Sequence, residues 1–109
     1  MTSLTRITLI AALLTTALAA ASHAPAARPA RVEIKDFKYG PPRITVRTGT
    51  QVTWTNHDEE THTITSATGA FGSTGLGHEE TFTQTFRQPG TYAYFCALHP
   101  QMKATVVVR

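Results

Sequence analysis

Apolar and polar positions alternate in short runs along most of this chain. Val32 and Ile34, Ile44 and Val46, Val52 and Trp54, His62 and Ile64, Phe82 and Phe86, and Tyr92 and Tyr94 fall in phase at a period of two, and Thr105 to Val108 is a β-branched run. Such alternation puts successive side chains on opposite faces of an extended backbone, so each run predicts a half-buried strand. Turn signals separate the runs: Gly40-Pro41-Pro42, Thr48-Gly49, the polar stretch Asn56 to Glu60, Gly69 to Gly77, and Pro89-Gly90. No segment carries a helical period. About seven strands are therefore predicted in an all-β fold, a Greek-key β-sandwich or barrel.

The amino-terminal stretch breaks this pattern. Met1 to Ala21 has a single early positive charge at Arg6, then an apolar run interrupted by threonines, and it ends in alanines. That layout predicts a secretory signal peptide, with Ala19 and Ala21 as the small residues before the cut. The apolar run is about 15 residues, short of the roughly 20 a membrane-spanning helix needs. Residues 22–30, rich in Ala, Pro and Arg, read as a flexible lead-in, and the domain is expected over 31–109. The expected location is the periplasm.

The chain has 109 residues and a formal net charge of +3, part of which lies in the export segment. That balance does not point to nucleic acid. A domain of this size buries a limited core, so a bound metal would add to its stability. One cysteine excludes an internal disulfide, and an immunoglobulin-type sandwich usually has two. A lone thiol in an oxidising compartment needs another explanation.

Its neighbourhood supplies one. The segment Cys96-Ala97-Leu98-His99-Pro100-Gln101-Met102 brings a thiol, an imidazole and a thioether into one short loop after a strand. Thiolate and thioether favour Cu(I), imidazole serves both copper oxidation states, and a weak axial thioether leaves a roughly trigonal site. His62, in phase with Ile64, is directed inward to the same place as Cys96, which is in phase with Tyr92 and Tyr94. The candidate metal ligands are thus His62, Cys96, His99 and Met102, around one copper ion. Taken singly, Cys96 would be an ordinary buried thiol and Met102 core filler. His57 and His78, set beside Asp58-Glu59-Glu60 and Glu79-Glu80, are expected on a solvated surface, as is that acidic loop.

The span Arg31 to Arg109 resembles the cupredoxins, the blue copper proteins, and among them the amicyanin branch. The resemblance rests on Gly49 through Asn56 (Gly-Thr-Gln-Val-Thr-Trp-Thr-Asn), the histidine that follows at His62, Pro89-Gly90-Thr91-Tyr92, and the short C-x-x-H-x-x-M spacing. It implies a two-sheet sandwich and a type 1 copper site, with Met102 as axial ligand. Thr61, Thr63 and Ala104 depart from residues common in the family. The family's Asn at the place of Thr63 helps tie the two ligand loops together, a task the Thr hydroxyl is expected to take over in part.

Three functions compete. Electron transfer needs a copper whose four protein ligands leave no open position, with redox partners such as a cytochrome c or a dehydrogenase and no membrane insertion after the signal is removed. Copper delivery would use Met-rich or His-rich tracts, and the chain has two methionines, one of them Met1. Hydrolysis by a Cys-His nucleophile lacks an orienting carboxylate near Cys96 and His99. The reading is a monomeric electron carrier, not an enzyme.

Overall fold

A computed structural model describes residues 2–3, 10–15 and 27–109. The expected export signal, Met1 to Ala21, and the start of the lead-in lie largely outside the described residues. Ala30, at the end of that lead-in, already pairs with Val52.

Eight strands form: β1 (Ala30–Lys35), β2 (Lys38–Gly40), β3 (Arg43–Val46), β4 (Thr50–Asn56), β5 (Thr65–Ser66), β6 (Thr81–Phe86), β7 (Gly90–Phe95) and β8 (Lys103–Val108). They make two four-stranded sheets, ordered β2-β1-β4-β6 and β3-β8-β7-β5. Pairing is parallel between β1 and β4 and between β3 and β8, and antiparallel elsewhere. The chain crosses between the sheets at every connection except β1–β2 and β7–β8, and the all-β sandwich expected from the alternation is the fold.

The pattern accounts for the faces. In β1, Val32 and Ile34 are buried while Arg31, Glu33 and Lys35 face water. In β4, Val52 and Trp54 point into the sandwich. Trp54 meets Tyr94 of the opposite sheet edge-on at a centroid distance of 5.5 Å, and its indole N–H donates to the Tyr94 hydroxyl at 3.1 Å. A polar atom deep in the core is thereby satisfied, and the two sheets are pinned in register. Burial pushes the Tyr94 phenol up to about 12, against the indole donor, so it stays neutral.

Two strand assignments differ from the alternation. Lys38–Gly40 is a strand that three residues with one apolar member could not signal; Tyr39 is its buried residue. The run His62 to Ile64 is not a regular strand. His62, Thr63 and Ile64 are all buried, so the run shows no alternation of faces, and His62 forms only a single bridge with Leu76.

Candidate metal centre

The carboxyl-terminal candidate ligands are placed by the way β7 hands over to β8. Strand β7 places Tyr94 inward, so Cys96, two residues on, also points inward and is fully buried. The chain then turns back on itself. The Cys96 carbonyl accepts the His99 N–H at 3.3 Å, the His99 carbonyl accepts the Met102 N–H at 2.9 Å, and the Met102 carbonyl accepts the Cys96 N–H at 3.1 Å. Three backbone bonds close the loop on its own ends, with Cys96, His99 and Met102 at its corners. Met102 is buried, His99 half-buried, and Leu98 on the rim exposed.

His62 comes from the connection after β4, and Asn56 builds that connection. Its side chain is fully buried; the amide N–H groups donate to the carbonyls of Glu60 at 2.8 Å and Leu76 at 2.9 Å, while its oxygen accepts the Asp58 N–H at 3.0 Å. Backbone bonds in both directions between His62 and Leu76 then hold the histidine in place.

The two loops meet at the donor atoms. Cys96 Sγ lies 3.7 Å from His62 Nδ1 and 3.6 Å from His99 Nδ1, and the two Nδ1 atoms are 3.2 Å apart. With metal–nitrogen bonds of about 2.0 Å and metal–sulfur bonds of about 2.3 Å, three donors spread evenly around one ion would stand roughly 3.5 Å apart nitrogen to nitrogen and roughly 3.7 Å nitrogen to sulfur. The triangle is therefore the size of a metal site already. Two imidazoles and a thiolate with a buried thioether close by are a donor set that fits copper. Among the described residues this is the one cluster of three or more His, Cys, Asp or Glu with such spacing.

Thr63 ties the loops as expected of it. Its hydroxyl accepts the Ala97 N–H at 2.8 Å and pairs with the Thr65 hydroxyl at 2.8 Å, while its N–H points at Cys96 Sγ at 3.4 Å. The Tyr39 hydroxyl donates to the Thr63 carbonyl at 2.5 Å. Burial, with Cys96 and Tyr94 close by, raises the Tyr39 phenol far above its ordinary value, so it remains a donor. Ala104 is buried on β8, where its small side chain packs into the core.

The acidic loop departs from expectation. Glu59 and Glu60 are exposed, but Asp58 is only 9 % exposed, and its Oδ2 stands 2.8 Å from His62 Nε2. The Asp36 N–H donates to Oδ1 at 2.8 Å and the Phe37 N–H to Oδ2 at 2.9 Å. Burial works to raise the Asp58 carboxyl, but the N–H groups of Phe37, His62 and Asp36 outweigh it and hold it below its ordinary value. Phe37 sets its ring edge-on against both His62 and His99, at 5.0 Å and 4.9 Å. Neither Asp58 nor Phe37 belongs to the predicted ligand set; an acidic residue four positions before a ligand histidine was the only signal available. His57 and His78 are exposed as expected: His57 is clasped between Glu33 and Glu79, and His78 sits 3.6 Å from Glu59 and Glu79.

Comparison with known proteins agrees with this geometry. A family described as the cupredoxin-like domain matches residues 7–108. Amicyanin of Paracoccus denitrificans is 35% identical over 82 residues, 71% of this chain and 63% of that protein, so this chain spans less than two thirds of that relative. Amicyanin-alpha of Methylorubrum extorquens is 36% identical over 103 residues, 90% of this chain and 86% of that protein. Among solved structures, a reduced Cu(I) form of an amicyanin variant at pH 4 superposes with a TM-score of 0.71 at 31% identity, covering 74% of this chain and 82% of that one. A purple cupredoxin from Nitrosopumilus maritimus gives 0.69 at 31% identity, covering 73% of this chain and 99% of that one. A metal-sized His-His-Cys triangle at one end of a two-sheet sandwich, with these relatives, makes this chain a member of the cupredoxin-like family.

Proposed function

We propose that this protein carries one electron at a time on a type 1 copper ion held by His62, Cys96, His99 and Met102. The observation that carries the reading is the triangle of Cys96 Sγ, His62 Nδ1 and His99 Nδ1, with sides between 3.2 Å and 3.7 Å. Copper bound there would supply a one-electron couple between Cu(II) and Cu(I). Cys96 and His62 are fully buried, so water is excluded from two of the donors. The hydrogen bonds closing the Cys96–Met102 loop and the Thr63 bridge between loops hold the donors still, and small rearrangement between oxidation states favours fast transfer. Four protein donors leave no open position for a substrate, which favours a carrier over an enzyme.

His99 is the half-buried ligand, and the exposed Leu98 and Pro100 beside it, with Phe37, form an apolar rim. That rim suits brief docking of redox proteins such as a cytochrome c or a dehydrogenase. The domain takes in Ala30, the first residue of β1, and lies behind a cleavable export signal over 1–21 and a short lead-in, and it works in the periplasm. The charge and apolar layout of the first residues supports that reading.

Adding Cu(II) to the purified chain should produce an intense thiolate-to-copper absorption and a reversible one-electron couple. A colourless complex that gives up Cu(I) without a reversible couple would make the protein a copper-delivery factor instead.

A further inference from the structure

A buried carboxylate has to justify its burial, because desolvation penalises its charge. Asp58 meets that cost with three N–H groups drawn from two distant parts of the chain: the backbone of Asp36 and Phe37, and the ring of His62. Its position is held in turn by Asn56, whose side-chain oxygen accepts the Asp58 N–H.

The chemistry of that contact is one-sided. An ionised carboxylate only accepts hydrogen bonds, so the His62 ring nitrogen 2.8 Å from Oδ2 must carry a proton. In a neutral imidazole the other nitrogen then has a free lone pair. That other nitrogen is Nδ1, the atom facing Cys96 Sγ and His99 Nδ1. The opposite tautomer would put a proton where a metal has to bind.

The same carboxylate shapes the roof of the site. Asp36 and Phe37 have positive φ values of 51° and 58°, a region costly for residues other than glycine. Their N–H groups converge on the two Asp58 oxygens, which stabilises the turn. That turn is what lays Phe37 across both imidazoles.

Resting on the copper reading above, we infer that Asp58 is the positioning residue of this centre, holding His62 in the Nε2–H tautomer and seating Phe37 over the two ligand histidines. It also leaves a negative charge one imidazole ring from the metal. Such a charge stabilises Cu(II) over Cu(I) and so keeps the reduction potential low.

The test has a metal-free arm and a metal arm. In the apoprotein at about pH 8, where an ordinary histidine is neutral, nitrogen-15 NMR of the imidazoles should find the His62 proton on Nε2. In Asp58→Ala, which removes the acceptor, the ring should lose that single tautomer, whereas Asp58→Asn keeps one acceptor oxygen and tests the charge alone. Zn(II), a redox-silent probe, should bind Asp58→Ala roughly 10- to 100-fold more weakly. Copper-loaded Asp58→Asn should keep its thiolate absorption while its reduction potential rises. A His62 proton found on Nδ1 in the wild-type apoprotein overturns the inference without any variant, so a variant that fails to fold does not shelter it. A folded Asp58→Ala variant with an unchanged tautomer and unchanged Zn(II) affinity overturns it as well. If instead the wild type binds Cu(II) without a thiolate absorption or a reversible couple, the copper reading falls while the tautomer and Zn(II) results still decide the role of Asp58.

Discussion

The two loops that carry the proposed metal ligands are built on opposite principles. The Cys96–Met102 loop closes on itself: three of the proposed ligand residues lie within one turn, and three backbone bonds run between its own members, with Thr63 reaching in from the other loop. The 57–64 loop carries one proposed ligand, His62, and leans on residues far along the chain. Asn56 bonds to Leu76, Asp58 to the β1–β2 turn, and Thr63 to Ala97 and Tyr39. The first loop brings donors together through spacing, and the second brings its donor in through packing. A site assembled from one of each is rigid on both sides without a covalent link between them.

The sharpest break comes from the self-contained side. Cys96→Ala removes the thiolate, and the copper-loaded variant should lose the blue absorption entirely, as read by visible spectroscopy. Retained absorption would refute the ligand assignment.

On the packed side the effect should be on stability first. Asn56→Ala leaves the buried N–H of Asp58 without its acceptor and the Glu60 carbonyl without its donor, which should cost about 1–3 kcal/mol for the groups left unsatisfied, although the Leu76 carbonyl keeps the His62 N–H. Urea unfolding of the apoprotein measures it. Copper binding should weaken too, since His62 loses its support, whereas an unchanged midpoint would mean that the loop holds itself.

A smaller loss is expected where the two loops touch. Thr63→Val keeps the shape and removes the acceptor for the Ala97 N–H, which should cost about 1 kcal/mol. The copper absorption should persist, with a shifted potential, because the N–H at 3.4 Å from Cys96 Sγ remains.

The smallest effect lies outside the site. Glu79 and Glu33 raise the His57 pKa from its ordinary 6.5 through hydrogen bonds to the ring. A raised value in the folded state means that the protonated ring stabilises the fold. The contribution is complete below 6.5 and fades as pH rises through the raised value. Comparing His57→Gln with the wild type by thermal unfolding, the wild-type advantage should be greatest in mild acid and vanish in mild alkali. Added salt should shrink it, because His57 is exposed.

What could be read from the chain divides in the same way as the two loops. The alternation of Val32 with Ile34 and of Val52 with Trp54 is local, so the strands and their buried faces were legible. The grouping of Cys96, His99 and Met102 was legible because their spacing is short; the strand phase expected to aim His62 inward is absent, and its place beside them comes from the loop after Asn56. The strand Lys38–Gly40 was not, being too short to show a period. Nor was the irregular, buried course of His62 to Ile64, which meets Leu76 in a single bridge.

By itself the sequence determined the sandwich class, the buried faces and the chemistry of the donor set. These follow from backbone periodicity and from residue types within one turn of each other. The tertiary structure decided which carboxylate serves the site. Asp58, Glu59 and Glu60 are chemically similar neighbours, yet only Asp58 is buried against His62. That choice rests on N–H groups of Asp36 and Phe37, more than twenty residues away in the chain, and loop spacing holds no record of contacts over such a distance.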